Sequence, residues 1–226
     1  METARTTHKN EPAKPIAFPG PEKSNPFPFT KRATVLCAVE KLFGASLGGK
    51  IPPVEILFAP PTIGRAAEEF ANEKDPVDAF RRNGPVSWQE GRIIYFNGWK
   101  LPPTEEKRAS ALAHEMAHVL LAVYARRHGQ VVHDRQAYMC AAEGTATFAE
   151  IESRRASGIE WKGFPEGMPE EYHLGFAFFN SMREAAGGVE AAFRLIASNL
   201  PRNSGEIRDP HLYLMRTSEN AAQAAA

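Results

Sequence analysis

Cysteine is scarce. The 226-residue chain has two, Cys37 and Cys140, enough for one bridge at most. That excludes a disulfide framework and a zinc site built from cysteine alone. Net charge is lacking too. Lys+Arg and Asp+Glu each number 27, so the basic surplus of a phosphate-contacting nucleic-acid binder is missing. No run of about 18 uninterrupted apolar residues occurs, and no membrane-spanning helix is expected. The first twenty residues carry charge but no contiguous apolar stretch, which argues against a secretory signal peptide. Glu2 and Glu11 interrupt the basic pattern of a transit peptide. The expected compartment is the cytoplasm by default, and the sequence leaves signal-independent secretion open. The balance of 43% hydrophobic and 24% charged residues is that of a globular domain with a buried core.

Proline punctuates the start. Pro12, Pro15, Pro19, Pro21, Pro26 and Pro28 remove backbone donors throughout residues 1–28, so this arm is expected to be disordered. A single domain is expected over 29–216, followed by a frayed tail over 217–226. Thr30 is placed to cap a helix over 31–43, and 54–59 reads as a short strand closed by Pro60 and Pro61. A short helix is expected over 65–73, and another turn or two over 77–82. Residues 86–89 and 92–97 read as a hairpin. The strongest helix signal covers 105–128. Thr104 caps it, Glu105 and Glu106 sit in its first turn, and Gly129 follows its basic last turn. Further helices are expected over 135–157, 171–186 and 189–199.

On the strong helix lies His114-Glu115-Met116-Ala117-His118, an H-E-x-x-H sequence. Four residues along an α-helix return to nearly the same face, about 40° round and about 6 Å further on. Both imidazoles can then reach one zinc ion at about 2.0–2.1 Å. Glu115 stands beside the first of them, close enough to act on a water without binding the metal.

A catalytic zinc needs a third protein ligand and an open position. The metzincin extension would put Gly and His where Leu121 and Tyr124 stand, so that class is rejected. His128 lies about 15 Å along the axis from His118, too far to close the site. His133 and Asp134 stay geometrically open. Glu143 is the better candidate. It lies 25 residues beyond His118, on a helix that returns after the turn at Gly129, and small neighbours flank it. Its carboxylate is expected within about 2.2 Å of the ion.

HEMAH followed by EGTATFAE resembles the gluzincin zinc metallopeptidases, most closely their compact peptidase MA-like branch. There a Glu-Gly-x-Ala segment on the second helix supplies the third ligand, which is Glu143 here. The stretch from Tyr172 to Phe179, with Gly187-Gly188 after it, resembles that branch's C-terminal part. The resemblance covers about residues 86–200. Two positions depart from the thermolysin type: Ala142 precedes the ligand where Asn would stand, and Thr147 follows it where Asp would stand. The partner of the first histidine's other nitrogen is therefore left open. The resemblance implies an α+β, zincin-like fold whose small mixed sheet has an edge strand beside the cleft, with a mostly helical C-terminal part. RIIYFN (92–97) is the candidate for that edge, with an interior strand as its alternative.

The implied chemistry is hydrolysis of peptide bonds in a peptide or protein substrate. One zinc ion per chain activates a water and Glu115 serves as general base. Tyr172 and His173 are the candidates for stabilising the oxyanion. Glu150 shares a helix face with Glu143 and is either a partner of a ligand histidine or a solvated residue. Cys140 reads as a small buried hydrophobe, and Trp88, Trp99 and Trp161 as packing residues. Two readings compete: a zincin-fold binding or regulatory protein with weak or no turnover, and a zinc hydrolase of a non-peptide amide. A leaderless secreted protease is a variant of the leading reading. No nucleic acid or membrane partner is expected, and oligomeric state is not legible.

Deleting residues 1–26 should leave the melting temperature almost unchanged, because a Pro-rich arm buries little apolar surface. A large fall would show instead that the arm packs on the domain.

Overall fold

Small and apolar side chains recur on every face of two long segments, and that makes them central helices rather than surface ones. A computed structural model of the chain describes residues 32–47, 54–57, 70, 72–90, 93–97 and 100–225. The elements run α1 (Arg32–Leu42), β1 (Val54–Leu57), α2 (Pro76–Asn83), β2 (Ser87–Glu90), β3 (Ile93–Asn97), α3 (Glu105–Arg127), α4 (Arg135–Ala156), α5 (Glu170–Ala186), α6 (Val189–Ser198), α7 (Ser204–Arg208) and α8 (Pro210–Ala225). The architecture is mostly helical with one small sheet, an α+β arrangement. The Pro-rich arm, Thr30, Trp99 and most of the helix expected over 65–73 lie outside the described residues.

The sheet is mixed. Its order is β1-β3-β2, with β1 parallel and β2 antiparallel to β3. The expected edge strand RIIYFN is therefore central, because β3 pairs on both sides. Among the described residues the edge beside the cleft belongs to β2, SWQE. Ser87 pairs with Phe96 and Gln89 with Ile94, so these four share one face. Ile94 and Phe96 are fully buried in the main core, which carries Ser87 and Gln89 towards α3. On the other face Trp88 stacks on Tyr95, ring centroids 5.2 Å apart, and meets Phe80 of α2 edge-on.

Thr104 caps α3, its side chain accepting from Lys107 N. Leu112, Met116, Val119 and Leu120 of this helix are fully buried. The chain reverses at Gly129, whose φ of 65° suits glycine. Asp134 then caps α4 by accepting from the amides of Gln136 and Ala137. Contacts of His118 with Glu143 and of His114 with Glu150 run in opposite chain directions, as an antiparallel pair requires.

The third helix, α5, touches α4 backbone to backbone. A Cβ on Gly144 would stand 1.9 Å from the Gly175 carbonyl oxygen, and one on Gly175 would stand 1.9 Å from that of Cys140. No side chain fits between them. Cys140 is buried at this crossing, as the sequence suggested.

Two C-terminal helices replace expectation. The short α7 carries no amphipathic signal in five residues. The expected frayed tail instead continues α8 to Ala225, its alanines being strong helix formers. Arg216 clamps α8 to α7 by donating from Nε to Glu206 Oε1 at 2.6 Å and from one NH₂ to Oε2 at 2.9 Å. The buried Tyr213 hydroxyl donates to the Leu195 carbonyl at 3.0 Å.

Gly175→Ala should lower stability by about 1–3 kcal/mol or more, the range for overpacking, read as a fall in melting temperature. Unchanged melting would mean that α4 and α5 do not meet at this pair.

Candidate metal centre

Three side chains from the two central helices converge. His114 and His118 sit one turn apart on α3, and Glu143 faces them from α4. One ligand atom from each lies within 4.8 Å of the others. The two Nε2 atoms are 3.2 Å apart. Glu143 Oε2 lies 3.2 Å from His114 Nε2, and Oε1 lies 3.6 Å from His118 Nε2. His114 is 8% and Glu143 7% exposed, so neither is a solvated surface group. Ala141, Ala142 and Ala146 are buried around Glu143, while Gly144 faces Gly175 of α5.

The donor set fits a cation. Glu143 Oε2 is buried without a well-aligned hydrogen bond, despite the nearby imidazole. Two ring nitrogens and a carboxylate oxygen all point at one place. Two imidazoles and one carboxylate are a zinc-type set that leaves a fourth position open.

The other groups are arranged around it. Glu150 Oε2 stands 3.3 Å from His114 Nδ1, in contact without a well-aligned hydrogen bond. Arg154 donates to Glu150 Oε1 at 2.5 Å from one turn further along α4. Glu150 is therefore held at the histidine rather than solvated. Thr147, at the position where the thermolysin type has Asp, is buried with its hydroxyl unpartnered.

Glu115 is 4% exposed. Ser87 of β2 donates its hydroxyl to Glu115 Oε1 at 2.9 Å, leaving the second oxygen available to the cleft. Tyr172, in the first turn of α5, lies nearly parallel to His114, ring centroids 6.1 Å apart. His173 points elsewhere: its exposed ring packs on Phe164, centroids 4.5 Å apart.

Two cavities, of about 380 and 310 Å³, meet at this place. Ser87, His114, Glu115 and Tyr172 line both. His118 and Glu143 line the smaller, with Gln89, Tyr138 and Met139. An apolar cavity between α1, α3 and α4 lies on the far side of the helix pair and holds none of these groups.

Electrostatics follow from burial and proximity. Burial pushes the His114 imidazolium down, but Glu143 and Glu150 outweigh it and hold the group well above the ordinary histidine value. Burial works against the Glu143 carboxylate, and the two histidines pull it far below its usual range. Glu150 is lowered in the same way, by His114 and Arg154 against its burial. Burial raises the Tyr172 hydroxyl, and the Glu143 and Glu115 carboxylates raise it further, so it stays a hydrogen-bond donor across the physiological range.

His133 is exposed and Asp134 is spent as the α4 cap; neither joins the cluster. His128 ends α3, exposed. Sequence reasoning missed Ser87 and Arg154. Arg154 had a signal in its i,i+4 spacing from Glu150. Ser87 had none, since sheet pairing alone brings it to Glu115. Comparison with protein-family models, with curated proteins and with solved structures finds no match to this chain.

With one set of ligands, the purified protein should take up about one zinc. His114→Ala and His118→Ala should each abolish stoichiometric binding, and Glu143→Ala should weaken it strongly. Glu150→Ala should weaken it about 10–100-fold. Because Glu143 and Glu150 raise the His114 imidazole above its ordinary value, zinc binding should release protons, and affinity should rise with pH. Calorimetry in buffers of different ionisation enthalpy reads this. Full occupancy in any of the three ligand variants would show that the first set of ligands is wrong.

Proposed function

We propose that the chain is a zinc-dependent metallopeptidase of zincin-like fold, hydrolysing peptide bonds in the cleft bordered by β2, α3 and α5. The observation that carries this reading is the convergence of His114, His118 and Glu143 on one point, with the unliganded Glu115 beside them in the same cleft. Such a constellation holds a metal and leaves a base free, and that is what hydrolysis by an activated water needs.

His114, His118 and Glu143 would hold the zinc. When bound, the ion supplies Lewis acidity, polarising the scissile carbonyl and making a water a nucleophile near neutral pH. The remaining work falls to the chain. Glu115 takes the proton from the water and hands it to the leaving amine. Ser87 fixes one oxygen of that carboxylate, so the other keeps its direction. Tyr172 donates its hydroxyl proton in a hydrogen bond to the oxyanion as the carbonyl becomes tetrahedral. Its raised pKa keeps that proton in place. Glu150, backed by Arg154, keeps the His114 ring oriented with Nε2 towards Glu143. Ser87 and Gln89 of β2 line the cavity, so a peptide held there would have its scissile bond beside Glu115.

Two variants test the assignment in an unbiased peptide-library digest with parallel metal analysis. Glu115→Gln should keep fold and zinc but lose about 10²–10⁴-fold in turnover, the usual worth of a general base. Tyr172→Phe should keep zinc and lose about 10²–10³-fold in kcat. Near-normal turnover by Glu115→Gln removes the general base, and a wild-type protein that binds zinc yet cuts no peptide removes the peptidase reading.

A further inference from the structure

The larger of the two cavities leads away from the reacting groups towards the start of α3. Its walls include the apolar Val86, Pro102, Ala111 and Met168, and two cationic side chains also line it, the exposed Lys107 and the half-buried Arg154. Lys107, Ala111 and Glu115 follow one another at four-residue spacing, so they share a helix face. Lys107 stands about 12 Å along the axis from Glu115, a gap that its own stem and the side chain of a bound residue can span together.

The acidic groups of this cavity are already engaged. Glu115 accepts from Ser87, and Glu150 is held between Arg154 and His114. Among the described residues the Lys107 ammonium makes no ion pair. Arg154 spends one NH₂ on Glu150, while its Nε is buried with no partner. A partly apolar passage with an uncommitted ammonium at its exposed end suits a carboxylate carried on a short hydrocarbon stem.

We infer that this cavity is a specificity subsite for an acidic residue of the substrate, glutamate in particular, next to the scissile bond. The inference rests on reading the site as a peptidase. Apolar walls accept the methylenes, and Lys107 pairs with the carboxylate.

The test separates binding from turnover. Zinc-loaded Glu115→Gln protein is titrated calorimetrically with short blocked peptides that differ only in Glu, Gln or Lys, with that residue set on either side of the target bond. The Glu peptide should bind about tenfold tighter than the Gln peptide for one of the two placements. Adding Lys107→Ala should cut that ratio at least about fivefold, and adding Lys107→Glu should turn the preference towards the Lys peptide. Equal binding of Glu and Gln peptides, no peptide binding at all, or a Glu preference that survives Lys107→Glu would overturn the subsite. Wild-type hydrolysis of the same set is scored separately. Cleavage without an acidic preference sinks the subsite and spares the peptidase reading. A charge-dependent binding preference without cleavage supports the subsite and sinks the peptidase reading.

Discussion

Three buried carboxylates gathered around His114 set the terms for this molecule. Glu115 and Glu143 are nearly inaccessible, and the Glu150 side chain is only 20% exposed. Taking a carboxylate out of water costs several kcal/mol unless opposite charge and hydrogen bonds replace the lost hydration. Arg154 serves Glu150, and a hydroxyl serves Glu115. Glu143 has the two imidazoles and the Tyr172 hydroxyl beside it, and one of its oxygens lacks a well-aligned donor. A divalent cation held by His114, His118 and Glu143 would add the positive charge this cluster lacks. Burial that would be a liability in an ordinary helix pair becomes intelligible as a site that metal completes.

Close approach of backbones makes such burial possible. Side chains of ordinary size between α4 and α5 would hold the helices apart. Gly144 and Gly175 remove that spacer, and the adjoining residues inherit the consequence. Glu143 is the neighbour of Gly144, and Tyr172 precedes Gly175 by three residues, so the crossing that lets the helices touch also sets a phenol over the carboxylate and the first histidine. Packing and site are therefore one constraint. The hydroxyl of Tyr172 stays protonated because the crossing hides it from water beside negative charge.

Local chemistry was legible wherever a signal lies within one helix. Thr104 acts as a cap, Gly129 ends its helix with a positive φ, and the four-residue spacing of His114 and His118 puts both rings on one face, whereas Asp134, left open as a metal ligand, caps α4 instead. Glu143 was legible because two long helices joined by a tight turn must return alongside each other. What was not legible depends on pairing across the chain. Nothing within RIIYFN says whether it has one neighbour or two. The pairing of β1 with β3 moves the edge to SWQE and, with it, Ser87 to Glu115. The clamp of Arg216 on Glu206 likewise joins two elements that a local reading leaves as loop and tail.

The candidate machinery is drawn from separate elements: the base and two histidines from α3, the third ligand and the brace of His114 from α4, the phenol from α5, and the hydroxyl on the base from β2. Each arrives through a contact that allows little slack, be it a glycine crossing, a central strand or an antiparallel helix pair. Ser87 and Tyr172 flank His114 and Glu115 where the two cavities meet. A substrate crossing that waist has one segment on each side of the reacting bond. On the proposed reading chemistry is confined to the waist, while the walls of each cavity are free to set what the site accepts. Lys107 and Arg154 furnish one wall, and Tyr138 and Met139 furnish the other. The two cavities differ in charge and size, so on the proposed reading side-chain fit would set the direction of a bound peptide.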